Sequence, residues 1–414
     1  MTIPFLDGEQ LLDDLETLNQ FGVKPGPGIN RVAFSPVDQA GRTWVEAQMK
    51  QVGMTVVTDA AGNSIGTYSG IEPHLKPIAL GSHTDTVPQG GRYDGALGVL
   101  AALACVRALY QADMRLRHPV EVINFTAEEA TMGAATLGSK AMAGLLDQAA
   151  IEQLAWDGRP VTEHLNAAGL DPIAMSQAQR PANSLSAFLE LHIEQGARLE
   201  QAEIPIGIVE GIVGIRRYSV TFQGQANHAG TTPMALRQDA LVMAAPYITT
   251  VREVAIAHEI VGTVGVFRVE PGAPNIIPGQ VYLEFETRGL DESVLDAAEA
   301  ELTQLATELR GQFKWLATKR SVTSDLRLVA ALESACQSLD LAYHKMSSGA
   351  GHDAMCIAEI APQAMVFVPS RGGISHAPDE YTTPEACVNG GRVLLATLLE
   401  LDEILDHKKP LELS

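Results

Sequence analysis

The sequence predicts an α/β protein: a mixed, largely parallel sheet with flanking helices, and a smaller α+β sandwich inserted into it. Three observations point there. Short apolar runs alternate with helical stretches through the first part of the chain, the βαβ rhythm of a parallel sheet covered by helices. Near residue 205 that rhythm gives way to a β-α-β-β-α order. At 414 residues the chain also exceeds the size at which one hydrophobic core stops growing, so two domains are expected.

Taken in order, residues 8–22 and 37–52 space their apolar side chains as helices do. Runs at 54–57, 77–80 and 120–125 read as strands, with a helix at 95–110 between the last two. After the Gly- and Ile-rich segment 205–214, residues 217–223 alternate as a strand and 235–258 form a long amphipathic helix. Strands at 262–269 and 280–287 and a helix from about 293 to 310 complete the insert. The first domain is therefore expected at 1–211 and 325–414, with the insert at 212–324. No internal repeat, low-complexity tract or heptad run interrupts this pattern.

The 29 Lys and Arg against 50 Asp and Glu leave a net charge of −21, which argues against nucleic acid or an anionic membrane as a partner. Hydrophobic residues make up 46% of the chain, ample for folded cores. Cys105, Cys336, Cys356 and Cys387 show no CxxC pair and no metal-like spacing. They are expected as free thiols in a reducing cytoplasm. The first residues lack a basic segment leading into an apolar one, and no run reaches ~20 uninterrupted apolar residues, so neither export nor membrane spanning is expected. Neither the GxSxG elbow of serine hydrolases nor the GxxxxGK[S/T] phosphate loop is present.

The chemistry gathers at strand ends. The segment GSHTDTVPQGGRYDG (81–95) follows the apolar run 77–80 and places His83, Asp85 and Asp94 in one glycine-rich loop. Such loops converge on a common crevice in α/β proteins. Gly90 and Gly91 give the loop freedom to fold back, which would bring His83 and Asp94 to one cation. Asp85 is placed to accept the second imidazole N–H of His83 and fix its tautomer. Glu128 and Glu129 follow the strand at 120–125. Neighbouring side chains point apart, so one can ligate a metal while the other faces a water as general base. His192 ends another apolar run, and His376 lies in the loop after 364–368. Singly, each histidine is more often a structural or surface residue than a ligand, and paired glutamates suit a first helical turn. Four strand ends that each present His, Asp or Glu favour a metal site. Oxygen and nitrogen donors without cysteine suit zinc, manganese, cobalt or nickel.

The order His-x-Asp, Asp, Glu-Glu, His, His resembles the dinuclear metallohydrolases that include aminoacylases and carboxypeptidase-like enzymes. The motifs GSHTDTVP (81–88), LHIEQG (191–196), NHAGTTPM (227–234) and SGAGHDA (348–354) resemble a narrower branch. That branch holds N-carbamoyl-L-amino acid hydrolases, allantoate amidohydrolases and metal-dependent β-ureidopropionases. The resemblance implies two divalent ions per subunit, Zn2+ or Mn2+, with Co2+ or Ni2+ as alternatives. His83 and His192 would hold one, Glu129 and His376 the other, with Asp94 bridging. It further implies Glu128 as general base, Asp85 as support for His83, and His228 as stabiliser of the tetrahedral intermediate. Gln195, Asn275 and Arg288 would bind substrate, with the backbone around Gly349 and Gly351 close by. The insert would serve as a lid and as the joint of a homodimer.

Read without the resemblance, His228 and Asn275 are turn residues near prolines and Arg288 is a solvated strand end. One departure stands out. The branch shows Asp, an apolar residue and Arg where this chain has Glu286, Thr287 and Arg288. The implied activity is hydrolysis of a linear, non-peptide ureido C–N bond in a small carboxylate-bearing substrate. An N-carbamoyl-L-amino acid or allantoate would give the free amino product, ammonia and carbon dioxide. An aminoacylase or dipeptidase with the same two-metal site is the nearest alternative. Arg288 suits the carboxylate because a guanidinium binds both oxygens at once.

Overall fold

The computed structural model describes residues 3–23 and 27–405. Its strands, in chain order, begin with β1 (Thr55–Thr58), β2 (Ser64–Tyr68), β3 (Ile78–His83), β4 (Val120–Phe125), β5 (Ala187–Ile193) and β6 (Ile206–Ile212). They continue with β7 (Gly214–Gln223), β8 (Val261–Glu270), β9 (Gln280–Gly289) and β10 (Gly311–Lys319), then β11 (Val322–Thr323), β12 (Tyr343–Ser348) and β13 (Gln363–Val368). The chain divides into two compact units, residues 1–210 with 324–414, and residues 211–323.

The first unit is built on a sheet in the order β1-β2-β4-β3-β5-β13-β6-β11, with β12 also on β6. Its centre is parallel: β4 with β3, β3 with β5, and β5 with β13. The outer partners β1, β2 and β6 run antiparallel to their neighbours. Strands β3, β4, β5 and β13 are buried along their whole length, which is why their apolar residues fall on both faces rather than alternating with exposed polar ones. Helix Ala96–Gln111 is apolar all round and almost wholly buried. It packs on β3 and β5 and against helix Pro384–Ile404, the expected place for a helix without a polar face.

The second unit is a four-stranded antiparallel sheet, β10-β7-β9-β8. Helices Ala240–Ala257 and Glu292–Glu308 pack on it around Tyr218, Phe222, Tyr247, Leu283 and Phe285. Two elements differ from the sequence expectation. The first helix begins at Ala240 because Asp239 caps it, accepting from the backbone N–H groups of Leu241 and Val242. The fourth strand, β10, was not expected. Its Phe313 and Trp315 alternate with Gln312 and Lys314, and they lie on Tyr218. Helix Ala240–Ala257 is the one described helix long and apolar enough to cross a membrane by length and composition, and its buried residues belong to this core.

Beneath the site-bearing loops of the first unit lies a buried ionic group. Ser35 caps helix Pro36–Gln51 by accepting from Asp38 N, and Asp38 accepts in turn from Phe34 N at 2.9 Å, a variant of the capping box. Burial raises the Asp38 carboxyl to about 7, against the pull of Arg42 and Arg31. Its folded value lies above the unfolded one. The native state therefore holds a proton that the unfolded chain loses above pH ~4, and stability falls as pH rises until about 7. Asp38→Asn is expected to flatten the unfolding free energy between those limits, by at most ~4 kcal/mol, as measured by denaturant titration of metal-free protein. Parallel pH profiles for the two proteins would contradict this.

Candidate metal centre

The candidate ligands all leave from one end of the parallel core. His83 is the last residue of β3, and His192 is the penultimate residue of β5. Glu128 and Glu129 follow β4, and His376 follows β13. Asp94 sits between β3 and helix Ala96–Gln111. Side chains from four adjacent strand ends therefore meet in one place.

They meet on Asp94. Its Oδ1 lies 3.0 Å from His192 Nε2 and 3.7 Å from His83 Nε2, and its Oδ2 lies 3.1 Å from His376 Nε2. His376 Nε2 is also 3.3 Å from Glu129 Oε1. Glu128 Oε2 approaches His83 Nε2 at 3.7 Å. Two donor sets share Asp94: His83, Asp94 and His192, and Asp94, Glu129 and His376, with the ligand atoms of each set within 4.8 Å of one another. The other ring nitrogens of His83 and His192 are taken by backbone carbonyls, Asp85 O at 3.0 Å and Ile193 O at 2.9 Å. A neutral imidazole that donates from Nδ1 keeps its Nε2 lone pair for a metal.

The protonation pattern fits a cation site. Burial lowers His83 to about 4, so its ring is neutral. Burial also opposes charge on His192, but the hydrogen bond and charge of Asp94 outweigh it and raise the ring to about 9. The Asp94 hydrogen bond raises His376 to about 9 as well. Despite its burial, Asp94 is held well below the usual carboxylate range by these two imidazoles. Burial, then Asp94, raise Glu129 to about 8; burial, then Asp353 and Glu129, push Glu128 well above its ordinary value. Three carboxylates and three imidazoles thus share too little positive charge for all the carboxylates to stay ionised together. An all-N/O donor set with one shared carboxylate and excess negative charge is what divalent cations complete.

The supporting contacts correct two expectations. Asp85 does not hold His83 through its carboxylate, whose nearest oxygen is 3.8 Å from Nδ1; its backbone carbonyl does that. The carboxylate instead accepts from the N–H groups of Glu128 and Glu129, each at 3.2 Å. It therefore fixes the acidic pair, and burial lifts it to about 6 against those two donors. Nor do Gly90 and Gly91 supply left-handed backbone. In this loop Gln89 (φ 55°) and Gly95 (φ 63°) do so. A Cβ at Gly91 would run into the Glu380 carboxylate, and one at Gly95 into the His83 ring. Ala127 (φ 51°), Gln195 (φ 56°) and His376 (φ 54°) are also left-handed. Non-glycine residues hold that region only where surrounding structure forces it.

Several residues that sequence reasoning passed over complete the frame. Glu380 is 2% exposed and accepts from Tyr93 N and Asp94 N at 2.9 and 3.1 Å. Ser375 lies 3.0 Å from Asp94 Oδ2 and 2.9 Å from Glu380 Oε2. Asn63 Oδ1 accepts from Thr126 N, and the buried Arg42 donates to the carbonyls of Asn124 and Phe125. The His352 ring meets His192 edge-on at 4.5 Å between centroids and hydrogen-bonds Ser348 Oγ. His352 lies inside the 348–354 motif, and Ser375 and Glu380 lie in the loop that carries His376; their roles depend on partners distant in sequence.

Of the expected substrate residues, Gln195 lies at this centre, its amide donating to Asp94 Oδ2 at 2.9 Å. Gly349 and Gly351 are exposed around the end of β12, and a Cβ at Gly349 would meet nothing within 4 Å. Three others belong to the second unit. His228 is exposed, and its Nδ1 accepts from Gly230 N at 3.0 Å and Thr231 N at 3.2 Å. That leaves Nε2 as the donor. The bridge between His228 and Ile276 sets the exposed Asn275 beside it. Arg288 is half-buried at the end of β9 and donates from Nε to Glu286 Oε1 at 2.8 Å.

The chain belongs to peptidase family M20/M25/M40, whose family model matches residues 79–400. It is 38% identical over 404 residues to an N-carbamoyl-L-amino acid amidohydrolase of Geobacillus stearothermophilus, covering 96% of this chain and 99% of that protein. It is 34% identical to an allantoate amidohydrolase of Bacillus subtilis, covering 94% and 97%. A crystal structure of a hydantoinase/carbamoylase family amidase from Burkholderia multivorans superposes with a TM-score of 0.87 at 34% identity, covering 96% and 98%. The resemblance read from the sequence is borne out at the level of the family.

Gly95→Ala tests the close approach of loop to ligand. The added methyl must displace the His83 ring, so the variant is expected to fold and to bind divalent cations ~10–100-fold more weakly, as measured by competition with a chromogenic chelator. Wild-type affinity would contradict the assigned place of His83.

Proposed function

We propose that this member of the M20/M25/M40 family hydrolyses the linear ureido C–N bond of a small carboxylate-bearing substrate, an N-carbamoyl-L-amino acid or allantoate. The products are the free amino compound, ammonia and carbon dioxide. The observation that carries the reading is the convergence of three imidazole Nε2 atoms and the Glu129 carboxylate on Asp94, beside Glu128. The activities named for the two relatives support the ureido class.

In this reading His83 and His192 would hold one divalent ion, Glu129 and His376 a second, and Asp94 would serve both. Zn2+ or Mn2+ fits the donors, as do Co2+ and Ni2+. When bound, such ions lower the pKa of a water and polarise the substrate carbonyl. Glu128 takes the proton of the attacking water and returns it to the departing nitrogen. Its carboxylate is aimed by the Asp85 contacts to the peptide N–H groups on either side of it. His228, donating from Nε2, stabilises the oxyanion of the tetrahedral intermediate. Arg288 holds the substrate carboxylate, with Gln195 and Asn275 as further contacts, and the second unit acts as the lid.

A homodimer joined through the second unit belongs to the same reading. It is supported by the exposed apolar side chains of Met234, Leu236 and Val242 in that unit. A reducing, cytoplasmic setting is supported by the four cysteines, all buried as free thiols.

The test is ammonia release from chelator-stripped protein reloaded with each of the four metals. The substrates are allantoate and a panel of N-carbamoyl-L-amino acids, and the first-ranked substrate names the branch. Cleavage of N-acyl amino acids or dipeptides without ammonia from any ureido compound would move the protein to the aminoacylase reading. For the general base, Glu128→Gln is expected to retain its metal content while kcat falls ~10²–10⁴-fold. Turnover at the wild-type level would remove Glu128 from that role.

A further inference from the structure

Strand β9 alternates strictly: Val281, Leu283, Phe285 and Thr287 are buried, while Tyr282, Glu284, Glu286 and Arg288 are only partly so. Glu286 and Arg288, two residues apart, therefore share the face away from the helices. Arg217 on β7 stands directly opposite Glu286 in register, on that same face. The two carboxylate oxygens of Glu286 are divided between these arginines. Oε1 accepts from Arg288 Nε at 2.8 Å and Nη2 at 2.7 Å, and Oε2 accepts from Arg217 Nε at 2.9 Å. The result is an Arg–Glu–Arg triad with a net charge of +1.

Three consequences follow for Arg288. The Nε–Nη2 edge of its guanidinium is engaged, which fixes the plane of the group. An exposed arginine would otherwise lose considerable rotamer freedom on meeting an anion. The contacts to the two arginines also hold the Glu286 carboxyl below its ordinary range against the effect of partial burial, so the triad stays charged wherever the substrate carboxylate is. Glutamate in place of a shorter aspartate reaches both Arg288 beside it and Arg217 across the ladder, while the buried Thr287 keeps the strand seated.

We propose that Glu286 is the positioning residue of the carboxylate subsite, holding Arg288 in its recognition pose with Arg217 as the brace. This rests on the reading that Arg288 binds the substrate carboxylate. The preference for a ureido substrate with a carboxylate over its carboxamide analogue, taken as the ratio of kcat/KM values, reports on that subsite alone.

The test compares that ratio in metal-reconstituted wild type, Glu286→Gln, Glu286→Asp and Arg288→Ala, each checked for fold by circular dichroism. Glu286→Gln is expected to lower the preference about tenfold through KM of the carboxylate substrate, since a charge-assisted contact becomes a neutral one. Glu286→Asp is expected to fall between it and wild type. A merely structural loss would reduce both substrates alike and leave the ratio at its wild-type value, which would overturn the proposal. So would a rise in preference, because Glu286 would then be competing with the substrate for Arg288. If Arg288→Ala itself leaves the preference intact, the carboxylate reading fails, and the proposal with it. If that variant abolishes the preference while Glu286→Gln does not alter it, only the proposal fails.

Discussion

Asp94 is the point on which the rest of the centre depends. Both of its oxygens are engaged by imidazole nitrogens arriving from two different strand ends, and Oδ2 also meets the Gln195 amide and the Ser375 hydroxyl. One carboxylate with so many partners must be held in place by its backbone. Glu380 does this by capping the N–H groups of Tyr93 and Asp94 from the far end of the chain. Gly91 and Gly95 exist as glycines because the Glu380 carboxylate and the His83 ring fill the space where their side chains would be.

Gathering carboxylates out of water is costly unless each finds donors or a counter-charge. This molecule does it with backbone and with buried arginine. Asp85 rests on two peptide N–H groups, and Glu190 accepts from Ser82 Oγ and Ala354 N. Arg42 sits behind the loop after β4 and donates to its carbonyls. Glu129, beside Asp94, is lifted further, to about 8, and Glu128 is pushed well above its ordinary value, which marks the remaining deficit. Divalent cations would relieve it, which would couple metal binding to the order of four loops at once.

The sequence made the candidate ligands legible because each lies at or just beyond the end of a mostly apolar strand, and the four loops can reach one another only if those strands lie together. The parallel core follows from the same runs. What the sequence could not convey was contact between segments remote in number. Glu380 holding Asp94 is one case, and Arg42 steadying the loop that leads to Glu128 and Glu129 is another. The role of Asp85 was misread for a related reason. Proximity in sequence to His83 suggested a side-chain bond, whereas the parallel pairing of β3 with β4 brings the carboxylate to Glu128 and Glu129 instead. Strand β10 was passed over because an edge strand with one face exposed carries a weaker apolar signal.

In the proposed reading one carboxylate, Asp94, unites two cation sites. Calorimetric titration of chelator-stripped protein with Mn2+ tests it most directly, comparing wild type with Asp94→Asn. Two ions per wild-type chain are expected, with both weakened together in the variant. A variant that keeps one ion at wild-type affinity, or a wild-type chain that binds a single ion, would contradict it.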